Sequence, residues 1–356
     1  MSSAKSISSF LILLLSSVYL VGQVVPVPDR KDRRNPYSGN PTQLPGETVE
    51  EAEARDSFVD NRVYSDLFGI GLPSFFREGQ WRIRLNPKFG DFFDDEYVRF
   101  PFGVEYSFSN YLEGFLGVGT YFPNPFNSGG DWGTYNMRVG GKYSWWGFAD
   151  TDYNLSVGFD SKMPWSDPPI EVADGWARHE VYVSASRELS QDPAKLVYLN
   201  IAHEFVGTSP FESNPVSPRP KDRIFIRPGI IYYPGGNFRY SAEFEYRTSA
   251  LDSTTPNPLD YEDWVGTREY TRAFEKVHEV IFSPGITWFP TDEFREGFFV
   301  PGNWDVGVKL DIPIVEETDE NIGVSLRFRW YYDYDQYLKN YIKSWWPLGK
   351  GDERRY

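Results

Sequence analysis

Residues 237–247 read NFRYSAEFEYR. Phe238, Tyr240, Ala242, Phe244 and Tyr246 fall on one parity, and Arg239, Ser241, Glu243, Glu245 and Arg247 on the other. Successive side chains of a β-strand point to opposite faces, so this stretch has one apolar and one charged face. A soluble sheet turns the apolar face to its own core. A transmembrane barrel turns it to lipid and keeps the charged face for a watery lumen.

The same alternation runs through most of the chain. It begins with WRIRL (81–85), FGVEYSF (102–108) and LEGFLGVGTYF (112–122), and continues in TYNMRVGGKYSW (134–145) and YNLSVGFDSK (153–162). HEVYVSASREL (179–189), KLVYLNIAHEF (195–205) and RIFIRPGIIYY (223–233) follow, and after residues 237–247 come EVIFSPGITWF (279–289), NWDVGVKLDIPI (303–314) and NIGVSLRFRWYY (321–332). That makes about twelve strands, an even number of the kind bacterial outer-membrane barrels have. Links at 109–111, 147–151, 189–194 and 234–236 are short, whereas 122–131, 162–176, 207–221 and 249–276 are long. Short turns at one end and long loops at the other are a barrel's asymmetry. Links 290–302 and 315–320 break the rule, one long on the short side and one brief on the long side. RPGIIYYP (227–234) and SPGITWFP (283–290) echo one another at matching strand ends and read as a repeated strand-to-turn device.

Burying the charged parity without pairing costs several kcal/mol per ion, so that parity is assigned to the lumen. It places Arg82, Arg84, Glu105, Glu113, Arg138, Lys142, Asp160, Glu180, Glu204, Arg227, Arg239, Glu243, Glu245, Asp305, Lys309, Asp311, Arg327 and Arg329 inward. Both signs occur, so neighbours pair across strands. Two interiors fit the pattern: a polar pore whose charged ladders orient solutes, or a salt-bridged filling that holds a narrow barrel together. Aromatics stand near the strand ends: Phe108, Trp145, Tyr153, Tyr232, Phe238, Trp288 and Trp330 at the short-turn rim. Tyr121, Trp132, Phe159, Phe205 and Tyr246 stand toward the other rim. Two such belts are expected at membrane interfaces, although β proteins are rich in Tyr and Trp in any case.

The bulk numbers agree. Aromatics are 18% of the 356 residues, cysteine is absent and the formal charge is -15. The mean hydropathy is -0.50. No stretch beyond the N-terminus offers the roughly 18 apolar residues a membrane helix needs, a test that a barrel escapes because half its strand residues are polar. The acidic balance speaks against nucleic acid as a partner. Without cysteine there are no disulfides, thiolate metal sites, Cys nucleophile or lipoprotein anchor.

Residues 1–22 carry Lys5 and an apolar run from Phe10 to Val21, and read as a secretory signal peptide. Residues 23–79 are expected to form a periplasmic leader, flexible at first because it is rich in Pro, Asn and charge. Thr48 and Glu51 make a capping box for a short helix with Ala52, Val59, Val63 and Leu67 on one face. That segment either precedes the barrel or enters it as a plug. The barrel spans 80–332. In the tail, 333–356, Tyr334, Leu338, Tyr341 and Trp345 fall at helical spacing, for a helix on the membrane interface or one capping the lower rim.

NIGVSLRF (321–328) resembles the sorting signal of barrel proteins, with polar Asn321, then Gly323, then Leu326 and Phe328 at alternate places. DVGVKLDI (305–312) fits nearly as well, and residues 331–356 continue past the point where most such barrels end. Over roughly residues 80–332 the chain resembles medium-sized Gram-negative outer-membrane barrels. The transporter-like family linked to aromatic-compound (phenol meta-pathway) degradation is one example. The resemblance implies outer-membrane lipid and the barrel-assembly machinery as partners, and small polar or aromatic solutes as cargo.

The chain has three histidines, each followed by Glu: His179–Glu180, His203–Glu204 and His278–Glu279. Neither H-E-x-x-H nor G-x-S-x-G occurs, and parity puts the histidines on the lipid face near the outer rim. No catalytic residue, metal or cofactor is therefore expected. Asp252, Asp260, Glu262 and Asp263 in the loop 249–276 are candidates for divalent cations, or ordinary solvated charges. The expectation is a channel for small solutes. A non-transporting structural or surface-binding barrel, a lipid-modifying barrel enzyme and a soluble periplasmic β-sandwich stand as alternatives.

Overall fold

The computed structural model describes residues 67–68, 70–74, 79–89, 96–109, 111–126, 130–169, 172–191, 193–211, 220–249, 278–291, 294, 303–315 and 322–333. The expected signal peptide, most of the leader with its capping box, the acidic loop 249–276 and the C-terminal helix lie outside these residues.

Thirteen strand segments occur in chain order: β1 (Gln80–Leu85), β2 (Lys88–Phe89), β3 (Tyr97–Ser107), β4 (Leu112–Pro123), β5 (Gly133–Trp145), β6 (Tyr153–Pro164), β7 (Ala177–Gln191), β8 (Ala194–Gly207), β9 (Arg223–Tyr233), β10 (Phe238–Ser249), β11 (His278–Trp288), β12 (Asn303–Val315) and β13 (Gly323–Asp333). All pairings are antiparallel; from β2 to β13 they join chain neighbours, β1 pairs with β3, and β13 returns to pair with both β1 and β2. The sheet therefore closes and leaves no edge. β1 and β2 both sit between β13 and β3, so they are two halves of one stave, interrupted at Asn86–Pro87. Pro87 has no N–H to give the ladder. The stave survives because Asn86 N donates to Pro101 O at 3.0 Å and Pro87 O accepts from Leu326 N at 2.8 Å. The result is a closed up-and-down barrel of twelve staves, the number the alternation predicts.

Apart from the broken first stave, the strands run 11–15 residues, enough for tilted strands to cross a bilayer core, which takes about 9–11. One end is closed tightly. β7 and β8 turn between Gln191 and Ala194, and β9 and β10 turn through Gly235 and Gly236 at φ 90° and 76°. Those left-handed positions suit glycine, and the Tyr233 hydroxyl locks the turn by donating to Gly236 O at 2.7 Å. The long link after β11, one of the two irregular connections, begins by folding inward. Phe289 is buried there, its N–H donates to Asn237 O at 2.7 Å, and the Arg239 guanidinium lies 5.8 Å from its ring.

The two faces part as the alternation requires. Leu116 is 57% exposed, Phe244 47% and Val183 47% on the outside, while Arg82, Arg239 and Arg327 are each 1% exposed inside. Such an outer band of Leu, Val, Ile and Phe has no place in water. Lipid covers it, and the fold is a transmembrane β-barrel with its charges inside.

One belt residue is corrected. Tyr121 shares the parity of Glu113 on β4, and it is buried with Tyr135 and Val172 while Phe122 takes the outward place. The pairing of β4 with β5 slips between Gly119 and Thr120, leaving Tyr135 as an extra residue on β5. This bulge turns Tyr135 from the outward face into the same cluster. Of the other belt positions, Trp132 and Trp145 are exposed, and Tyr153, Tyr232, Tyr246, Trp288 and Trp330 are half-buried. Phe122 stacks with Trp132 at 6.4 Å at one rim, and Trp288 meets Trp304 at 5.8 Å at the other.

Candidate functional site: the lumen

The inward residues form ladders fixed by strand register. Arg82 stands opposite Glu105, and Glu113 opposite Lys142. Arg82 Nη2 lies 2.6 Å from Glu113 and 3.2 Å from Glu105, Arg84 lies 2.9 Å from Glu105, and Lys142 Nζ 3.5 Å from Glu113. Between β12 and β13, Asp305 gathers Arg329 at 2.9 Å, Arg327 at 3.2 Å and the Tyr331 hydroxyl at 2.7 Å.

Toward the long-loop end a second network forms. Arg138 pairs with Asp160 at 2.5 Å. Arg227 bridges Glu245 at 2.5 Å and Glu180 at 3.1 Å, and donates to Asn200 Oδ1 at 3.1 Å. Glu245 also pairs with Arg247, which reaches Glu279 at 3.1 Å. Glu204 pairs with Arg178 at 3.2 Å, and Lys309 with Asp311 at 2.9 Å. Glu243 instead accepts from the Tyr198 hydroxyl at 2.7 Å. All the charged positions assigned inward by parity are thus buried or half-buried in one interior. Such pairs persist because removing one partner strands a charge out of water.

Arg178 and Tyr331 belong to the same networks without having been singled out, although each shares the inward parity of a neighbour that was, while Arg247 lies on the charged parity of residues 237–247 and Glu279 is the inward neighbour of His278. The apolar part of the lumen had less signal. On β8 the inward positions read Leu196, Tyr198, Asn200, Ala202 and Glu204, so hydrophobicity crosses to the inner face for two places. With Ile231 of β9 they make an apolar patch inside the barrel.

The chain's own residues 67–68 and 70–74 lie against that patch. Leu67, Ile70 and Leu72 pack with Leu196, Tyr198 and Ile231, all buried. Gly71 O accepts from Ser184 Oγ at 2.6 Å and Ser156 Oγ at 3.3 Å, and Leu72 O accepts from Lys142 Nζ at 2.8 Å. Ser74 Oγ donates to Glu113 at 2.9 Å. The Phe68 ring faces the Arg327 guanidinium at 4.7 Å. Leu67, expected on a helical face, is irregular backbone pressed against the barrel wall. Of the segment read as a helix before the barrel or a plug, only Leu67 and Phe68 are described, and both lie inside the barrel. Beside the segment a small cleft remains, lined by Ile70, Gly71, Arg84, Glu105, Arg138 and Tyr182 among others.

On the outer face, register sets Ser161 opposite His179, and the hydroxyl lies 3.0 Å from Nδ1. This Ser–His pair was not legible as a motif because the residues sit on neighbouring strands. The outward positions flanking it are Val139 and Phe205 across the strands and Phe159 and Val181 along them, none able to orient the imidazole as a triad requires. His278 stacks on Tyr246 at 6.1 Å and its Nδ1 lies 2.8 Å from that hydroxyl. Among the described residues, no group of three or more His, Cys, Asp or Glu is placed to hold a metal ion.

No family model matches the chain, and no curated protein sequence matches it. Several solved structures resemble it. The COG4313 outer membrane channel from Pseudomonas putida F1 is 9% identical with a TM-score of 0.47, covering 72% of this chain and 97% of that one. The KdgM porin is 9% identical with a TM-score of 0.41, covering 70% and 98%. The NanC porin gives 9% identity, a TM-score of 0.41, and coverage of 70% and 97%.

Proposed function

We propose that the chain is an outer-membrane channel for small solutes, and that its charged lumen is their passage. The observation that carries this reading is the inversion of the barrel: a closed wall with apolar residues outside and ladders of both charges inside. In this reading the inward Arg, Lys, Asp and Glu residues described above line the pore. Trp132, Trp145, Tyr153, Tyr232, Tyr246, Trp288 and Trp330 meet the two headgroup layers, where amphipathic rings are favoured. Residues 1–22 direct export, 23–79 begin in the periplasm, and outer-membrane lipid and the barrel-assembly machinery are the partners. The resemblance of the alternating strands to transporter-like barrels of aromatic-compound degradation makes small polar or aromatic solutes the class to try first.

A second reading, a barrel that does not transport, is favoured by the filling of the lumen: residues 67–74 and the buried ion pairs occupy much of the interior. Single-channel recording of the full chain in a planar bilayer separates the two. Discrete conductance steps support the channel. A heat-modifiable barrel that inserts and stays silent, with or without residues 67–74 seated, supports the structural role.

A further inference from the structure

We infer that the place now held by Gly71 and Leu72 is a binding site for a small amphipathic solute, an oxygen acceptor such as a carboxylate on an aliphatic body, and that segment 67–74 occupies it as an internal competitor. The inference rests on the channel reading and names its substrate class.

The polar half of the site is built independently of its occupant. Arg227 can only donate, so it fixes Asn200 with Oδ1 toward the guanidinium at 3.1 Å. The amide Nδ2 must then face Ser184 Oγ, to which it donates at 2.6 Å. With one lone pair so engaged, the Ser184 O–H points away from Asn200 and donates to Gly71 O at 2.6 Å. The relay Arg227, Asn200, Ser184 thus ends on an outbound donor whose direction is set from the wall. Lys142 Nζ adds a cationic donor to Leu72 O at 2.8 Å. Withdrawing the segment leaves these donors without their carbonyls, and an arriving oxygen acceptor takes the carbonyls' place.

The apolar half is the patch of Leu196, Tyr198 and Ile231, where Ile70 and Leu72 now sit. Carbonyl oxygens and aliphatic side chains of the segment stand in for the head and body of the solute. The seat of the segment is also narrow. A Cβ on Gly71 would stand 2.1 Å from the Tyr182 hydroxyl, and that ring cannot retreat toward β6 because a Cβ position on Gly158 already lies 2.4 Å from the same oxygen. Gly71 is thus the residue that lets the competitor fit.

The test is bilayer conductance of the full-length protein and of Gly71→Val, which unseats the segment, with octanoate as probe. Acetate supplies the head without the body, and octylammonium the body with a donor head. The expected result is higher conductance in Gly71→Val than in the unaltered chain, reduced by octanoate and not by the other two. Adding Ser184→Ala should raise the half-blocking octanoate concentration about tenfold, the worth of a lost hydrogen bond to a charged group. If Gly71→Val conducts but octanoate acts no differently from acetate, or Ser184→Ala changes nothing, the binding site is refuted and the channel stands. If both proteins insert as heat-modifiable barrels and neither conducts, the channel reading itself fails. Should Gly71→Val not fold, Leu72→Asp, which sets a charge against Leu196 and Ile231, takes its place in the same comparison.

Discussion

Tyr198 on β8 reaches across the whole of β9 to donate its hydroxyl to Glu243 on β10 at 2.7 Å. Register explains how: both residues stand opposite Gly229, and a Cβ there would lie 2.3 Å from the Tyr198 ring. The ring lies where β9 has no side chain. Tyr182 lies over Gly158 and Phe115 over Gly140 in the same manner. Inward aromatics over inward glycines fill the lumen while keeping the wall regular.

Gly229→Ala should therefore destabilise the barrel by about 1–3 kcal/mol, the usual cost of overpacking. Urea titration of the folded protein in detergent, followed by tryptophan fluorescence, measures it. The double variant with Tyr198→Phe should not rescue stability, because the ring and not its hydroxyl makes the clash.

Glu243 and Phe244 are neighbours on β10 that face opposite media, 3% and 47% exposed. Phe244→Arg places a cation toward the hydrocarbon and should cost about 2–4 kcal/mol at mid-strand, reducing the amount of assembled barrel. Glu243→Ala removes only the acceptor of Tyr198 and should cost about 1–2 kcal/mol while assembly proceeds. Comparable losses of heat-modifiable protein in both variants would mean the faces are misassigned.

Asp305 is fully buried and receives Arg327, Arg329 and the Tyr331 hydroxyl. Asp305→Ala removes the carboxylate that two neighbouring buried guanidiniums share and should destabilise by about 3–5 kcal/mol. Asp311→Ala is the control. Its side chain is 31% exposed, pairs with Lys309 and accepts from Ser283 at 2.6 Å and Ser325 at 3.3 Å, so its loss should cost less than that of Asp305, about 1–2 kcal/mol.

Ser161→Ala and His179→Ala probe the outward Ser–His contact. With Val139 and Phe205 as the flanking outward residues, both variants should leave assembly and conductance unchanged. Phospholipid hydrolysis by the purified barrel that vanishes in either variant would instead assign the pair a catalytic role.

The wall of this barrel was legible because its information is local. Parity along Phe238–Arg247 assigns each side chain a face without knowledge of any other strand, and the charged positions so assigned all lie inward. Tyr121 escaped for a local reason as well: its parity with Glu113 points inward, but its place near a strand end invited the belt assignment. The bulge at Tyr135 had no signature in the alternation, since a single extra residue simply reverses the parity beyond it. The interior was legible only in part. Leu196 and Ile231 look like ordinary strand residues until Leu67, Ile70 and Leu72 are seen beside them, a contact between positions far apart in the chain. The echo of RPG at 227–229 and SPG at 283–285 was visible, but its meaning was not. Gly229 lies beneath Tyr198, and a Cβ on Gly285 would meet Ser241 Oγ at 2.6 Å.

The central claim is that charged residues fill the inside of a closed barrel whose apolar face meets lipid. Its most direct test is an electrophoretic gel of the outer-membrane fraction, loaded with and without boiling. The closed barrel should stay folded in cold detergent and change mobility on heating, with all the protein in the membrane fraction. Recovery in the soluble periplasm with no heat-dependent shift would contradict it, because the apolar face would then have to be covered by protein.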